Sequence, residues 1–95
     1  MEIRGKVAVV TGGASGIGEG IVRALAGKGA RVAIFDLNES RGQALAAELG
    51  EAAIFAKVNV ADEASVAAGV ARAMDAFGAI HVCVNCAGLA TAHNT

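Results

Sequence analysis

Proline is missing from the 95-residue chain altogether, so glycine, present at 13 positions, is left to punctuate it. A dominant charge is missing too. Eight Lys and Arg against nine Asp and Glu leave a net charge of -1, with a pI near 6.0. No broad basic field exists for nucleic acid or acidic lipid, so any phosphate must be recognised by local backbone geometry, and the expected partner is a small molecule. No apolar run has the length of a membrane span, and Met1 to Lys6 leads directly into a short strand without the apolar core of a secretory signal. The expected location is cytoplasmic, with neither a nucleic-acid nor a membrane partner.

Cysteine occurs only at Cys83 and Cys86, a C-x-x-C spacing that invites a redox or metal reading. A redox pair opens a helix, whose N-terminus stabilises the thiolate, whereas Val82-Cys83-Val84 is a β-branched run suited to the end of a strand. Zinc would need His81 or His93 as well, without a second ligand pair at regular spacing. Two small buried or pocket-lining thiols is the better reading, and no metal site is expected.

What the chain does have is 55% hydrophobic residues, 18% charged ones and a mean hydropathy of +0.54, a composition that forms a core. No linker, repeat or low-complexity run divides it, so a single domain spans 1–95. Apolar stretches at Lys6–Val10, Arg31–Phe35, Ala53–Val58 and Ile80–Val84 predict four strands. Between them Ile17, Ile21 and Leu25 mark one helix face ending near Gly27 and Gly29. Ser40-x-x-Gln43 matches a capping box for a second helix, with Leu45 and Leu49 inward and Gly50 as its stop. Asp62 is the expected N-cap of a third, lined by Val66, Val70, Met74 and Phe77 and closed by Gly78. Strands apolar on both faces, alternating with amphipathic helices, predict a doubly wound parallel α/β sheet of the Rossmann type, in the order 3-2-1-4. The chain ends eleven residues after Val84, which reads as the first half of a larger, truncated domain.

Thr11-Gly12-Gly13-Ala14-Ser15-Gly16-Ile17-Gly18 lies between the first strand and the first helix, where open parallel sheets bind phosphates. Gly12 permits the turn, Gly16 lets a pyrophosphate reach the backbone, Gly18 lets the helix sit close, and amides at the helix N-terminus face the anion. Asp36 ends the second strand, where a carboxylate can accept from both ribose hydroxyls of an adenosine and would repel a 2′-phosphate. That favours NAD over NADP. Asn59-Val60 follows the third strand and could read an adenine edge, although a turn-forming Asn serves equally well. Asn85-Cys86-Ala87-Gly88 follows the fourth, where small residues would let the chain pass near a cofactor ribose.

Taken together these segments resemble the short-chain dehydrogenase/reductase family along essentially the whole chain. The family pattern T-G-x-x-x-G-x-G falls on Thr11, Gly12, Gly16 and Gly18, its strand-end acid on Asp36, its D-V adenine contact on Asn59-Val60, and its N-N-A-G segment on Asn85 to Gly88. Asn59 and Cys86 depart from that pattern, and Val84 to Ala90 is most similar to the 3-hydroxyacyl-CoA dehydrogenase type 2 branch. The resemblance implies Ser15, Ile17, Asp36, Asn59, Val60 and Cys86 as NAD contacts. It implies hydride transfer between nicotinamide and a secondary alcohol or ketone, or a 3-hydroxyacyl-CoA, in a homo-oligomeric parent, dimer or tetramer. The family's catalytic Ser and Tyr-x-x-x-Lys lie on later elements, and this chain contains no tyrosine, so by itself it is expected to be catalytically inert. An S-adenosylmethionine methyltransferase shares the glycine turn and strand-end acid, but its closely spaced glycines after an acid fit less well. A P-loop NTPase is excluded because no Gly-Lys-Ser/Thr follows the glycines. A non-enzymatic fragment that pairs its fourth strand with another chain is the remaining alternative.

Overall fold

The computed structural model of the chain describes residues 2–86. Val7–Thr11 (β1), Arg31–Asp36 (β2), Ala53–Lys57 (β3) and Val82–Asn85 (β4) form one sheet in the order β3-β2-β1-β4, with every pairing parallel. Between them run Gly16–Gly27 (α1), Glu39–Leu49 (α2) and Glu63–Phe77 (α3). This is the expected Rossmann-type half-sheet. The strands lie within one or two residues of their predicted places, with β1 and β2 extended to Thr11 and Asp36, which pair with Phe35 and Lys57 in the ladder.

The two-residue period of the strands divides the core in two. Val10, Val32, Ile34 and Phe55 point to one face, where Val22 of α1 and Leu45 of α2 pack on them. Val9, Ala33, Phe35 and Ala56 point to the other, beneath Val66, Ala73 and Phe77 of α3. Glycines set how near the helices come. A Cβ on Gly42 would stand 2.1 Å from the Phe55 ring, and one on Gly69 would stand 2.6 Å from Val58 Cγ2.

Several local expectations are corrected. The second helix begins at Asn38, whose side-chain oxygen accepts from Arg41 N–H at 3.1 Å. Ser40 sits inside the helix, and Gln43 reaches Glu39 rather than a cap, so no Ser40-Gln43 box forms. Ile17 is 61% exposed, because Val22 rather than Ile17 turns to the sheet. On α3 the buried stripe runs through Gly69 and Ala73, leaving Val70 and Met74 at its flank, 37% and 45% exposed. Small residues face the sheet here because Phe35 and Val58 already fill that layer. Asp62 does cap α3, accepting from Ala64 N–H at 3.0 Å, and Gly78 closes it in the left-handed region.

His81 sits beside the start of β1. Its Nδ1 accepts from Val7 N–H at 2.9 Å while its own N–H donates to the Val7 carbonyl at 2.8 Å, which ties β4 to β1. Cys83 pairs with Val9, on the α3 face, whereas Cys86 packs on the opposite side among Val10 and Val22. The two thiols therefore serve neither a common metal nor each other. Burial raises the Cys86 pKa by penalising the thiolate. Among the described residues no helix is long and apolar enough to cross a membrane.

Candidate functional site

The carboxyl ends of β1, β2 and β3 meet at one rim of the sheet, as parallel topology requires, and the loops leaving them enclose a cleft of about 220 Å³. Gly12, Ser15, Phe35, Asp36, Leu37, Val58, Asn59 and Val60 line it. That volume is below the roughly 300–1,000 Å³ of a pocket that engulfs a drug-sized ligand, so it has room for part of such a ligand only.

The glycine turn is built tightly. Gly12 takes a φ of 71°, and its N–H and that of Gly13 both donate to the Phe35 carbonyl, at 2.7 and 3.3 Å. A Cβ on Gly18 would lie 1.9 Å from the Gly12 carbonyl oxygen, so the helix abuts the turn itself rather than the sheet. Gly16 differs in kind. A Cβ there would meet nothing within 4 Å, and its side is open to whatever approaches the loop. Gly13 was not expected to matter, yet a Cβ on it would meet Ile34 Cγ2 at 2.9 Å and the Val10 carbonyl at 3.1 Å. Only the tertiary packing reveals that demand.

Ser15 occupies the N-cap of α1, but its hydroxyl turns back to the Gly12 carbonyl at 2.7 Å and caps nothing. Asn38 and Asp62 do cap α2 and α3. The first-turn amides of α1 thus lack a side-chain acceptor, and with the partial positive charge of a helix N-terminus they suit an anion. A pyrophosphate is a chemical match for this turn.

Asp36 is half-buried beside the cleft, and its carboxylate accepts from Ala14 N–H through Oδ2 and from Asn38 N–H through Oδ1, each at 2.9 Å. Each oxygen retains a lone pair for a hydroxyl. Asn59 plays the turn role that its type allows, its Oδ1 accepting from Ala61 N–H at 3.0 Å while its own N–H donates to Ser65 Oγ at 2.9 Å. It still lines the cleft with Val60, which is exposed there. Leu37, exposed directly after Asp36, lines the cleft too, and as an apolar residue it brings no positive charge there.

Of the residues expected to touch a cofactor, Gly12, Ser15, Asp36, Asn59 and Val60 line this cleft. Gly16, Ile17 and Gly18 lie in the adjoining first turn of α1. Asn85 stands across the end of β1, where Thr11 Oγ1 donates to its Oδ1 at 2.7 Å. Cys86 is 2% exposed and packs in the core rather than in the cleft, its N–H donating to the Thr11 carbonyl. Ala87 and Gly88 lie outside the described residues.

Beside the loop, Glu19 of α1 pairs with Arg23 at 2.9 Å and with Arg41 of α2 at 3.2 Å, and Arg23 also pairs with Glu48. Hydrogen bonds from Arg23 hold the carboxyls of Glu19 and Glu48 below their ordinary pKa.

Comparison with known proteins gives a consistent result. The sequence model for "short chain dehydrogenase" matches residues 6–95. The chain is 48% identical over 87 residues to 3-beta-hydroxysteroid dehydrogenase of Comamonas testosteroni, covering 92% of this chain and 34% of that protein. It is 45% identical over 93 residues to 3-hydroxyacyl-CoA dehydrogenase type-2 of Mus musculus, covering 98% of this chain and 36% of the other. It thus spans about a third of the length of these curated relatives. The crystal structure of a 3-ketoacyl-(acyl-carrier-protein) reductase from Brucella melitensis complexed with NADH superposes with a TM-score of 0.83 at 37% identity, over 85% of this chain and 34% of that one.

Proposed function

The chain belongs to the short chain dehydrogenase family, and on that premise we propose that residues 1–95 are the NAD(H)-binding unit of an oxidoreductase acting on a secondary alcohol or ketone. The observation that carries this reading is the rim geometry: an uncapped helix N-terminus behind an open Gly16, next to a cleft with the Asp36 carboxylate at its edge. The α1 amides and Gly16 would receive the pyrophosphate, Asp36 the adenosine ribose, and Leu37 and Val60 the two faces of the adenine ring. When bound, the nicotinamide supplies the hydride acceptor or donor.

NAD is preferred to NADP in this reading. A 2′-phosphate would meet the Asp36 carboxylate, and among the described residues no basic side chain lines the cleft. For the substrate we propose a 3-hydroxyacyl-CoA, on the similarity of Val84 to Ala90 to that branch, with a hydroxysteroid as the competing class because relatives of both kinds match almost equally well. Turnover is not proposed for the 95 residues alone, since they contain no tyrosine to serve as the family's acid/base.

The test is calorimetric titration of the full-length protein with NAD and NADP, followed by an absorbance assay of NADH formation on 3-hydroxyacyl-CoA and hydroxysteroid substrates. NAD is expected to bind at least tenfold more tightly than NADP. Equal affinity, or a preference for NADP, would refute the cofactor reading, and turnover of only the steroid would refute the acyl-CoA one.

A further inference from the structure

The end of β2 holds the glycine turn through three consecutive amides. Gly12 and Gly13 donate to the carbonyl of Phe35, an acceptor that any residue at that position would supply. Ala14 donates to the side chain of Asp36, at 2.9 Å. Of the three ties, only the last depends on which amino acid occupies the strand end. Ala14 itself is buried, 2% exposed, so its N–H needs a protein partner. The other carboxylate oxygen is fixed by Asn38 N–H two residues on, which holds the group in the orientation that faces Ala14. Hydrogen bonds from backbone amides to an ionised carboxylate belong to the stronger class.

We propose that Asp36 is a positioning residue for the phosphate-binding turn, in addition to being an acceptor for ribose: its Oδ2 holds Ala14 N–H and thereby keeps the turn in its pyrophosphate-ready shape before any ligand arrives. The inference rests on reading this rim as the adenosine-pyrophosphate end of an NAD site, and it assigns Asp36 a role that a ribose contact does not require. Ala14 lies between the Gly12 turn and the open side of Gly16, so slack at its amide moves the atoms that would face the phosphates. Each carboxylate oxygen has two lone pairs, so holding the turn and accepting a ribose hydroxyl are compatible. Preorganisation of this kind raises affinity by removing the ordering cost from the binding step.

The experiment separates the two roles with a probe that lacks the ribose hydroxyls, 2′,3′-dideoxyadenosine diphosphate, titrated calorimetrically into the full-length protein carrying Asp36→Asn or Asp36→Ala. Both variants lose the negative charge, so repulsion of the pyrophosphate is matched between them. Only Asn retains an oxygen acceptor. The Asn variant is expected to bind the probe about fivefold more tightly than the Ala variant, the size of one hydrogen bond. Exchange of the Ala14 amide in the ligand-free protein, followed by NMR, is expected to be slow in the wild type, faster in Asn and fastest in Ala. Provided wild-type protein binds ADP, equal probe affinities in the two variants would overturn the proposal. Should Asp36→Ala fail to fold, Asp36→Ser takes its place, its hydroxyl being too short to span to Ala14. If wild-type protein fails to bind ADP, the nucleotide reading itself falls, and the order of Ala14 exchange still decides whether Asp36 holds the turn.

Discussion

Strands β2 and β4 have similarly apolar sequences, yet the fold treats them differently. Val32 to Phe35 of β2 are all buried, whereas β4 alternates between half-buried Val82 and Val84 and exposed Cys83 and Asn85. Val32 and Val82 make the point at single-residue scale. Both pair with Ala8 of β1, one on either side, so they share a face of the sheet. Val32 is roofed by the α1 and α2 layer, while Val82 stands at the margin. Apolar sequence tells that a strand is suited to burial. The helices around it decide how much burial it receives.

The largest effect that would sharpen this contrast is expected at the buried side. Gly18→Ala would set a Cβ against the Gly12 carbonyl, a backbone atom that cannot swing away, and drive α1 off the turn. The expected loss is about 3 kcal/mol, at the upper end of overpacking costs, with nucleotide affinity falling alongside it; urea unfolding and calorimetry measure the two. The next test acts on the comparison itself. Val32→Ala should cost about 2 kcal/mol and Val82→Ala under about 1, since the deleted methyls are equal and only the surrounding packing differs. Equal costs in the full-length protein would break the contrast by showing that β4 is covered there as thoroughly as β2.

The smallest effect lies on the surface between α1 and α2. Glu19 and Glu48 have folded-state pKa values lowered first by hydrogen bonds from Arg23, so their contribution is present above the ordinary carboxylate pKa of 4.5 and is lost as pH falls through the lower folded value. A Glu19→Gln, Glu48→Gln double variant should therefore melt slightly below wild type at pH 7, and the two melting curves should converge in acid. A gap that persists at pH 2 would assign the effect to packing rather than charge. Exposed pairs of this kind contribute little and are weakened by salt, so the gap should also shrink at high ionic strength.

Much of the architecture was legible because its signals are local. Gly50 and Gly78 end helices where glycine can take a positive φ, Asp62 caps where an acid precedes an apolar run, and four apolar stretches between amphipathic segments leave few topologies open. Errors arose where two local rules competed. Asn38 and Ser40 are both good caps, and nothing in the sequence alone chose between them. Val70 and Met74 satisfy helical periodicity as well as Gly69 and Ala73 do, but a large residue at position 69 would strike Phe35 and Val58, so α3 turns its small residues inward. Within the site, the glycines and Asp36 were readable from their spacing, whereas Gly13 as a packing requirement was not.

By itself the sequence determined the period of each element, where the chain turns, and the presence of a glycine turn and a strand-end acid, because backbone geometry and side-chain type act over a few neighbouring residues. The tertiary structure alone decided that Asp36 grips Ala14, a residue 22 positions away, that Cys86 faces the core instead of the cleft, and that β4 is less covered than β2. Those outcomes depend on which side chains fill the space between distant segments, and close packing lets only one of the locally permitted arrangements fit.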